Sequence, residues 1–178
     1  MSTPFLVKDI WPGLSGSLGL LTQMTAVGST LYFQAVDGAN GNELWKSDGT
    51  AAGTVLVKDI NPGSYTSSDP ENLTAVGNTL FFTANDGGYE SGVYGGGYST
   101  ELWKSDGTAA GTVLVKDINP GGNYMVPFGS FPENLTAVGN TLFFNADDGV
   151  NGEELWKSDG TEAGTVLVRD IRPGSYGS

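Results

Sequence analysis

Acidic and amide side chains gather in two short loops. One runs from Val36 to Glu43 and holds Asp37, Asn40 and Asn42. The other runs from Asp147 to Glu154 and holds Asp147, Asp148, Asn151 and Glu153. Carboxylate and amide oxygens spaced by glycine, which lets backbone carbonyls join, are what a hard cation such as calcium requires. These residues are the candidate metal ligands, and calcium is the candidate cofactor. Their spacing follows neither the EF-hand loop nor the tandem nonapeptide calcium repeat. Ordinary Asx-turn chemistry is the alternative reading of the same residues. The adjacent pairs Asp147-Asp148 and Glu153-Glu154 have the side-chain type that hydrolyses glycosides. They lack the single asymmetric constellation catalysis needs, so an enzyme is not expected.

The chain has no His and no Cys. That removes the usual general base, thiolate metal sites and disulfides. Twenty acids against eight bases give a net charge of −12. Such a balance argues against nucleic acid, whose phosphates call for clustered Lys and Arg. It equally disfavours anionic membrane surfaces. No apolar run approaches the length of a membrane span, and no membrane insertion is expected.

Aromatic residues form a second candidate constellation. Tyr89, Tyr94 and Tyr98 lie in a glycine-rich insertion, Gly88–Thr100. Trp11, Tyr65, Tyr124, Phe128 and Phe131 lie in segments that join larger units. A flat apolar face with a polar tip suits sugar stacking or protein contact. These eight are the candidate ligand-binding residues.

The elements that position them recur. Glu43 to Gly63 and Glu101 to Gly121 carry the same 21 residues, ELWKSDGTAAGTVLVKDINPG, and a close third copy runs from Glu154 to Gly174. Long repeats imply stacked copies of one supersecondary unit. Each unit reads as four strands separated by Gly-Ser or Gly-Asn, an Asp-Gly loop, the DGTxxGT turn and Pro-Gly. The first strands are Met24–Val27, Leu73–Val76 and Leu135–Val138. The second are Thr30–Ala35, Thr79–Ala84 and Thr141–Ala146. The third are Glu43–Ser47, Glu101–Ser105 and Glu154–Ser158, and the fourth Thr54–Ile60, Thr112–Ile118 and Thr165–Ile171. Adjacent apolar residues such as Leu80–Phe82 point to sheets covered on both faces. Small sheets packed face to face, as in propeller blades, fit this pattern. The expectation is an all-β, β-propeller-type repeat in a single domain over 1–178. Its three four-stranded antiparallel blades span about 21–60, 71–118 and 133–171, with an extra N-terminal strand at 6–10. Trp45, Trp103 and Trp156 recur in register and are expected in the core. Lys8, Lys58, Lys116 and Arg169 fall mid-strand, where they would blunt exposed edges.

The three ELWKSDGT segments, Glu43–Thr50, Glu101–Thr108 and Glu154–Thr161, resemble the bacterial repeat named for its ELWxxDGT motif. More distantly, the order AVGNTLFF…ELWKSDGT is similar to kelch and WD-repeat blades. The resemblance implies a propeller-type fold and a surface or secreted setting, and it implies no activity. Three blades are too few to close a ring. The expected partners therefore include a second copy, as a homodimer, or further units of a longer array.

In an antiparallel meander, unit-to-unit connections and second-to-third-strand loops fall at one end of the sheets. Those segments vary in length and residue type, whereas the AVG and DGT turns at the other end do not. The expected function is thus a non-catalytic binding or adhesion module that recognises glycan or protein through the variable end. The alternative is a structural repeat scaffold stabilised by calcium.

Overall fold

A computed structural model describes residues 4–12, 23–63, 66–87, 99–120, 129–171 and 173. The described chain is all-β, with three separate four-stranded antiparallel sheets. The first sheet holds β1 (Met24–Val27), β2 (Thr30–Val36), β3 (Asn42–Ser47) and β4 (Val55–Lys58). The second holds β5 (Glu71–Val76), β6 (Thr79–Asn85), β7 (Thr100–Ser105) and β8 (Val113–Lys116). The third holds β9 (Glu133–Val138), β10 (Thr141–Asp147), β11 (Glu153–Ser158) and β12 (Val166–Arg169). Each is a plain meander in strand order.

Local chemistry sets the strand ends. Gly28, Gly77 and Gly139 take φ of 60°, 59° and 60°. Glycine at the first position of a two-residue hairpin loop gives the turn whose twist matches the flanking strands. The fourth strands stop at Lys58, Lys116 and Arg169, short of the expected Ile60, Ile118 and Ile171. The β3–β4 ladder slips between Leu44 and Trp45, and β7–β8 and β11–β12 slip at the same place. Beyond the slip the Ile60 N–H leaves the ladder and donates to the Glu43 carboxylate.

Strand alternation divides each sheet into two faces. In the first sheet Phe33 lies opposite Trp45, and Tyr32 lies opposite Lys46. The Tyr32 side faces the second sheet. There Tyr32, Leu44, Val57 and Ile60 bury themselves against Leu80, Phe82, Ala84 and Trp103. The second sheet repeats this on the third: Phe81, Leu102, Val115 and Ile118 cover Leu142, Phe144, Ala146 and Trp156. All three tryptophans are buried as expected.

Polar contacts lock the stack in register. Lys58 Nζ donates to the Thr112 carbonyl at 2.9 Å and lies 5.7 Å from the Trp103 ring centre. Lys116 does the same on Thr165 and Trp156. Lys46 donates to the Gly107 carbonyl and Lys104 to that of Gly160, each at 2.7 Å. Thr25 donates to the Leu73 carbonyl and Thr74 to that of Leu135. The mid-strand lysines therefore act across sheets. The edge-blunting role expected of Lys58 and Lys116 is not what they perform.

The expected β-propeller is not formed. The three sheets stack in a row and do not close into a ring: among the described residues no sheet covers the outer face of the first or of the third. The open face of the third sheet leaves Val138, Val168 and Ile171 exposed. At the other end, residues 6–10 form no strand. Lys8 still donates to the Thr54 carbonyl at 2.7 Å and lies over Trp45, as Lys58 and Lys116 do on their neighbours. A ladder is missing because no described third strand lies beside this segment.

The stack makes a prediction about two glycines of identical turn geometry. Gly49 and Gly107 both have φ of 88°. A Cβ at Gly49 would meet nothing within 4 Å, whereas one at Gly107 would collide with the Tyr32 hydroxyl of the preceding sheet. Gly49→Ala should cost about 1 kcal/mol from left-handed backbone alone. Gly107→Ala should cost roughly 1–3 kcal/mol more, through overpacking. Denaturant unfolding of the two variants measures the difference, and equal losses would mean the sheets do not meet at this point.

Candidate functional site

The end of the stack that carries the β2–β3, β6–β7 and β10–β11 loops also carries the connections between sheets. Ser68 and Asp69 N–H groups donate to the Asn42 carbonyl, and the Ser68 carbonyl accepts from Asn85 N–H. Phe131 N–H donates to the Thr100 carbonyl, and the Ser130 carbonyl accepts from Asp147 N–H. Each connection is thus clamped between the loop behind it and the loop ahead. Connections and loops share one end because a four-strand meander exits where its second turn lies.

A buried glutamate anchors each clamp. Glu43 accepts from Ile60 N–H at 3.0 Å, Ser68 N–H at 2.8 Å and the Ser68 hydroxyl at 2.6 Å. Glu101 accepts from Ser130 N–H at 2.8 Å and the Ser130 hydroxyl at 2.6 Å. Glu154 accepts from Ile171 N–H at 3.3 Å. One carboxylate so ties the third strand, the end of the fourth and the next connection. Burial pushes the Glu43 and Glu101 carboxyls up to about 7, against the pull of the serine and backbone donors; the charges of Asp59 and Asp117 add to the rise. Sequence reasoning passed over these residues. The signal was there: a Glu before each Leu-Trp, matched by a Ser two residues before Pro-Glu-Asn in both connections.

Asp37, Asn40, Asp148 and Asn151 sit in the loops, Asn42, Asp147 and Glu153 at the adjoining strand ends, and the three aspartates' oxygens serve turns. Asp37 Oδ1 accepts from the Ala39 and Asn40 N–H groups, and its Oδ2 from the Asn40 amide. Asp148 does the same with Val150 and Asn151. Burial opposes ionisation of both carboxyls, but these donors outweigh it and the pKa values are lowered. Asn42 donates to Gln34 and Asp69. Asp147 accepts from Gly149 N–H, and Glu153 accepts from the Asn145 amide. Asp147 and Glu153 are cross-strand neighbours, an unfavourable placement for like charges. Among the described residues no group of three or more His, Cys, Asp or Glu side chains converges on a point. The described fold carries no evident catalytic cluster.

Of the aromatic candidates, Tyr65, Tyr89, Tyr94, Tyr98, Tyr124 and Phe128 lie outside the described residues. Trp11 is half-buried and packs on Gly38 in the β2–β3 loop, where Asn61 and Asn119 pack on the corresponding Gly87 and Gly149. Phe131 is exposed and takes φ of 45°, the place that Asp69 fills with φ of 44° in the preceding connection. Trp11 and Phe131 flank different loops of the same end.

The DGT turns lie at the opposite end and are uniform. Asp48, Asp106 and Asp159 each accept from the N–H and hydroxyl of the Thr two residues on. Those Thr hydroxyl bonds, then the backbone ones, hold the three exposed carboxyls below the usual range. No described helix is long and apolar enough to cross a membrane. The chain matches no protein-family model and no curated protein sequence.

The glutamate anchors make stability depend on pH. Their folded pKa of about 7 exceeds the ordinary 4.5, so the folded state binds the extra proton. Stability should be full below about pH 4.5 and decline as pH rises to about 7, by an order of 1–2 kcal/mol per glutamate after solvent screening. The lowered Asp groups act below pH 3.8 and leave this window clear. Unfolding measured at pH 5 and 7.5 should show the decline, and Glu101→Gln should flatten part of it. A flat wild-type profile would contradict the buried, proton-binding role.

Proposed function

We propose that the chain is a non-catalytic repeat scaffold that binds a glycan or protein partner at its loop end, in a secreted or surface setting. The observation that carries this reading is Phe131. Asp and Asn adopt left-handed backbone at little cost, but a bulky aromatic there is an outlier. A strained residue of this kind costs about 1–3 kcal/mol and recurs at ligand clamps. Phe131 is 46% exposed, so core burial does not offset the strain. A ring held outward at a backbone cost serves contact with something outside the chain.

Trp11 supports the same reading, since it replaces an Asn at the same end. The contrast between ends supports it further. The DGT turns repeat one hydrogen-bond set three times, while the clamped connections differ in length and side chain. Scaffolds place recognition on such loops. The ELWxxDGT segments support the surface setting by resemblance, and the −12 charge suits neutral or cationic partners.

Phe131→Asn tests the reading because stability and binding should part company. The variant should unfold at a higher temperature, by about 1 kcal/mol of relieved strain. Its binding on a glycan array, or its yield of cross-linked protein partner, should fall about tenfold, the scale of one aromatic anchor. A variant that gains stability and keeps full binding would overturn the loop-end assignment.

A further inference from the structure

The two end faces of the stack are complementary to one another, and the buried interfaces between its sheets show how. Val57 and Val115 are each 5% exposed under the next sheet, while their counterpart Val168 is 43% exposed. Ile60 and Ile118 are 5% and 4% exposed, while Ile171 is 62% exposed. The same residues that form a core twice lie bare the third time.

The donors repeat the pattern. Lys46 and Lys104 each reach a Gly carbonyl of the next sheet; the third in the series, Lys157, meets no such acceptor among the described residues. Thr25 and Thr74 reach a carbonyl of the next first strand; Thr136 reaches only Asn134 of its own strand. Tyr32 lies over Gly107 and Phe81 over Gly160; Phe143 is the third. At the other end of the stack the matching acceptors stand ready on the first sheet. Gly49 has nothing within 4 Å of its Cβ position. Met24 is exposed, and with Leu31 and Phe33 it forms one side of a groove of about 450 Å³ whose other side is residues 5–10.

We propose that the open face of the third sheet docks on the outer face of the first sheet of a second copy of this chain. In that contact Lys157 meets the partner copy's Gly49 carbonyl, Thr136 its Met24 carbonyl, and Val168 and Ile171 take the places that Val7 and Ile10 hold on its first sheet. The contact continues the interface already built twice within one chain, so it needs no new chemistry. It is heterologous, joining unlike surfaces.

The fourth-strand place is already taken. Lys8 occupies the Thr54 carbonyl and the Trp45 ring, where Arg169 of the incoming sheet would fit, and Ile10 packs on Phe33, Ala35 and Trp45 in the place of Ile171. The occupant has no ladder of its own: residues 6–10 form no strand, and Phe5 and Leu6 are 80% and 76% exposed. β12, by contrast, is laddered to β11. Residues 4–10 act as a removable cover, and Arg169 displaces Lys8 on docking.

Sedimentation velocity of the full chain over a wide concentration range tests this. The wild type should exceed the mass of one chain as concentration rises. Val168→Asp with Ile171→Asp, both at exposed positions, should stay monomeric with an unchanged strand spectrum. Lys157→Glu, a milder change at the same face, should weaken association. Lys8→Ala should loosen the cover and tighten association about fivefold, the scale of one competing hydrogen bond. A wild type and Lys8→Ala that are monomeric throughout would overturn the proposal. So would association indifferent to the Val168 and Ile171 changes, or left unchanged or weakened by Lys8→Ala.

Discussion

One contact organises the molecule: Lys58 and Lys116, at the ends of the first two sheets' fourth strands, each cross to the next sheet, lie over its buried tryptophan and donate to a threonine carbonyl. A lone ammonium over an apolar sheet would lose hydration. Here the π face and the carbonyl both replace water. Because the lysine, the tryptophan and the Thr all sit within the 21 residues that the first two copies share, each of those copies carries both halves of the lock; the third carries Arg169 in the lysine's place. Stacking is therefore a property of the repeat, and the apolar residues around the lock inherit their burial from it. Val57 and Val168 show this: one side chain type, one place in the strand, opposite exposure.

The second constraint is the glutamate clamp, which fixes the loop end as the lysine lock fixes the sheets. Glu43 and Glu101 pull the connection onto the sheet it leaves, and the Ser that donates to each also bonds the next loop through its carbonyl. With the backbone so held, the chain can place an outlier such as Phe131 without losing the fold. Framework and variation are separated spatially: identical hydrogen bonds close the DGT end, and differing side chains occupy the clamped end.

Much of this was legible in the residues. Gly-Asn and DGT breakers placed all twelve strands to within one or two residues, since positive φ at those glycines fixes where a strand must stop. The buried tryptophans followed from their identical register. Three features were not legible. The fourth strands ended early because Ile60 bonds a side chain, which strand patterning does not see. The glutamates looked solvated because an acid at a strand start is ordinarily exposed; only the pairing with a distant Ser reveals otherwise. The ring did not form because a repeat specifies how one sheet meets the next and leaves closure to the number of units. The acidic loops read from composition as turns or as calcium ligands; in the structure the Asp37, Asp147 and Asp148 carboxylates accept turn hydrogen bonds.

The account holds that stacking, and not the sequence of any one sheet, sets local stability. Native-state hydrogen exchange tests it directly, because β4 and β8 are the same four residues, Val-Leu-Val-Lys, and β12 differs by one. Intrinsic exchange rates nearly cancel, so differences report context alone. The account predicts strongest protection in β6–β8, which a sheet covers on both faces, and weakest in β12, which faces outward. Equal protection across the three sheets would contradict it.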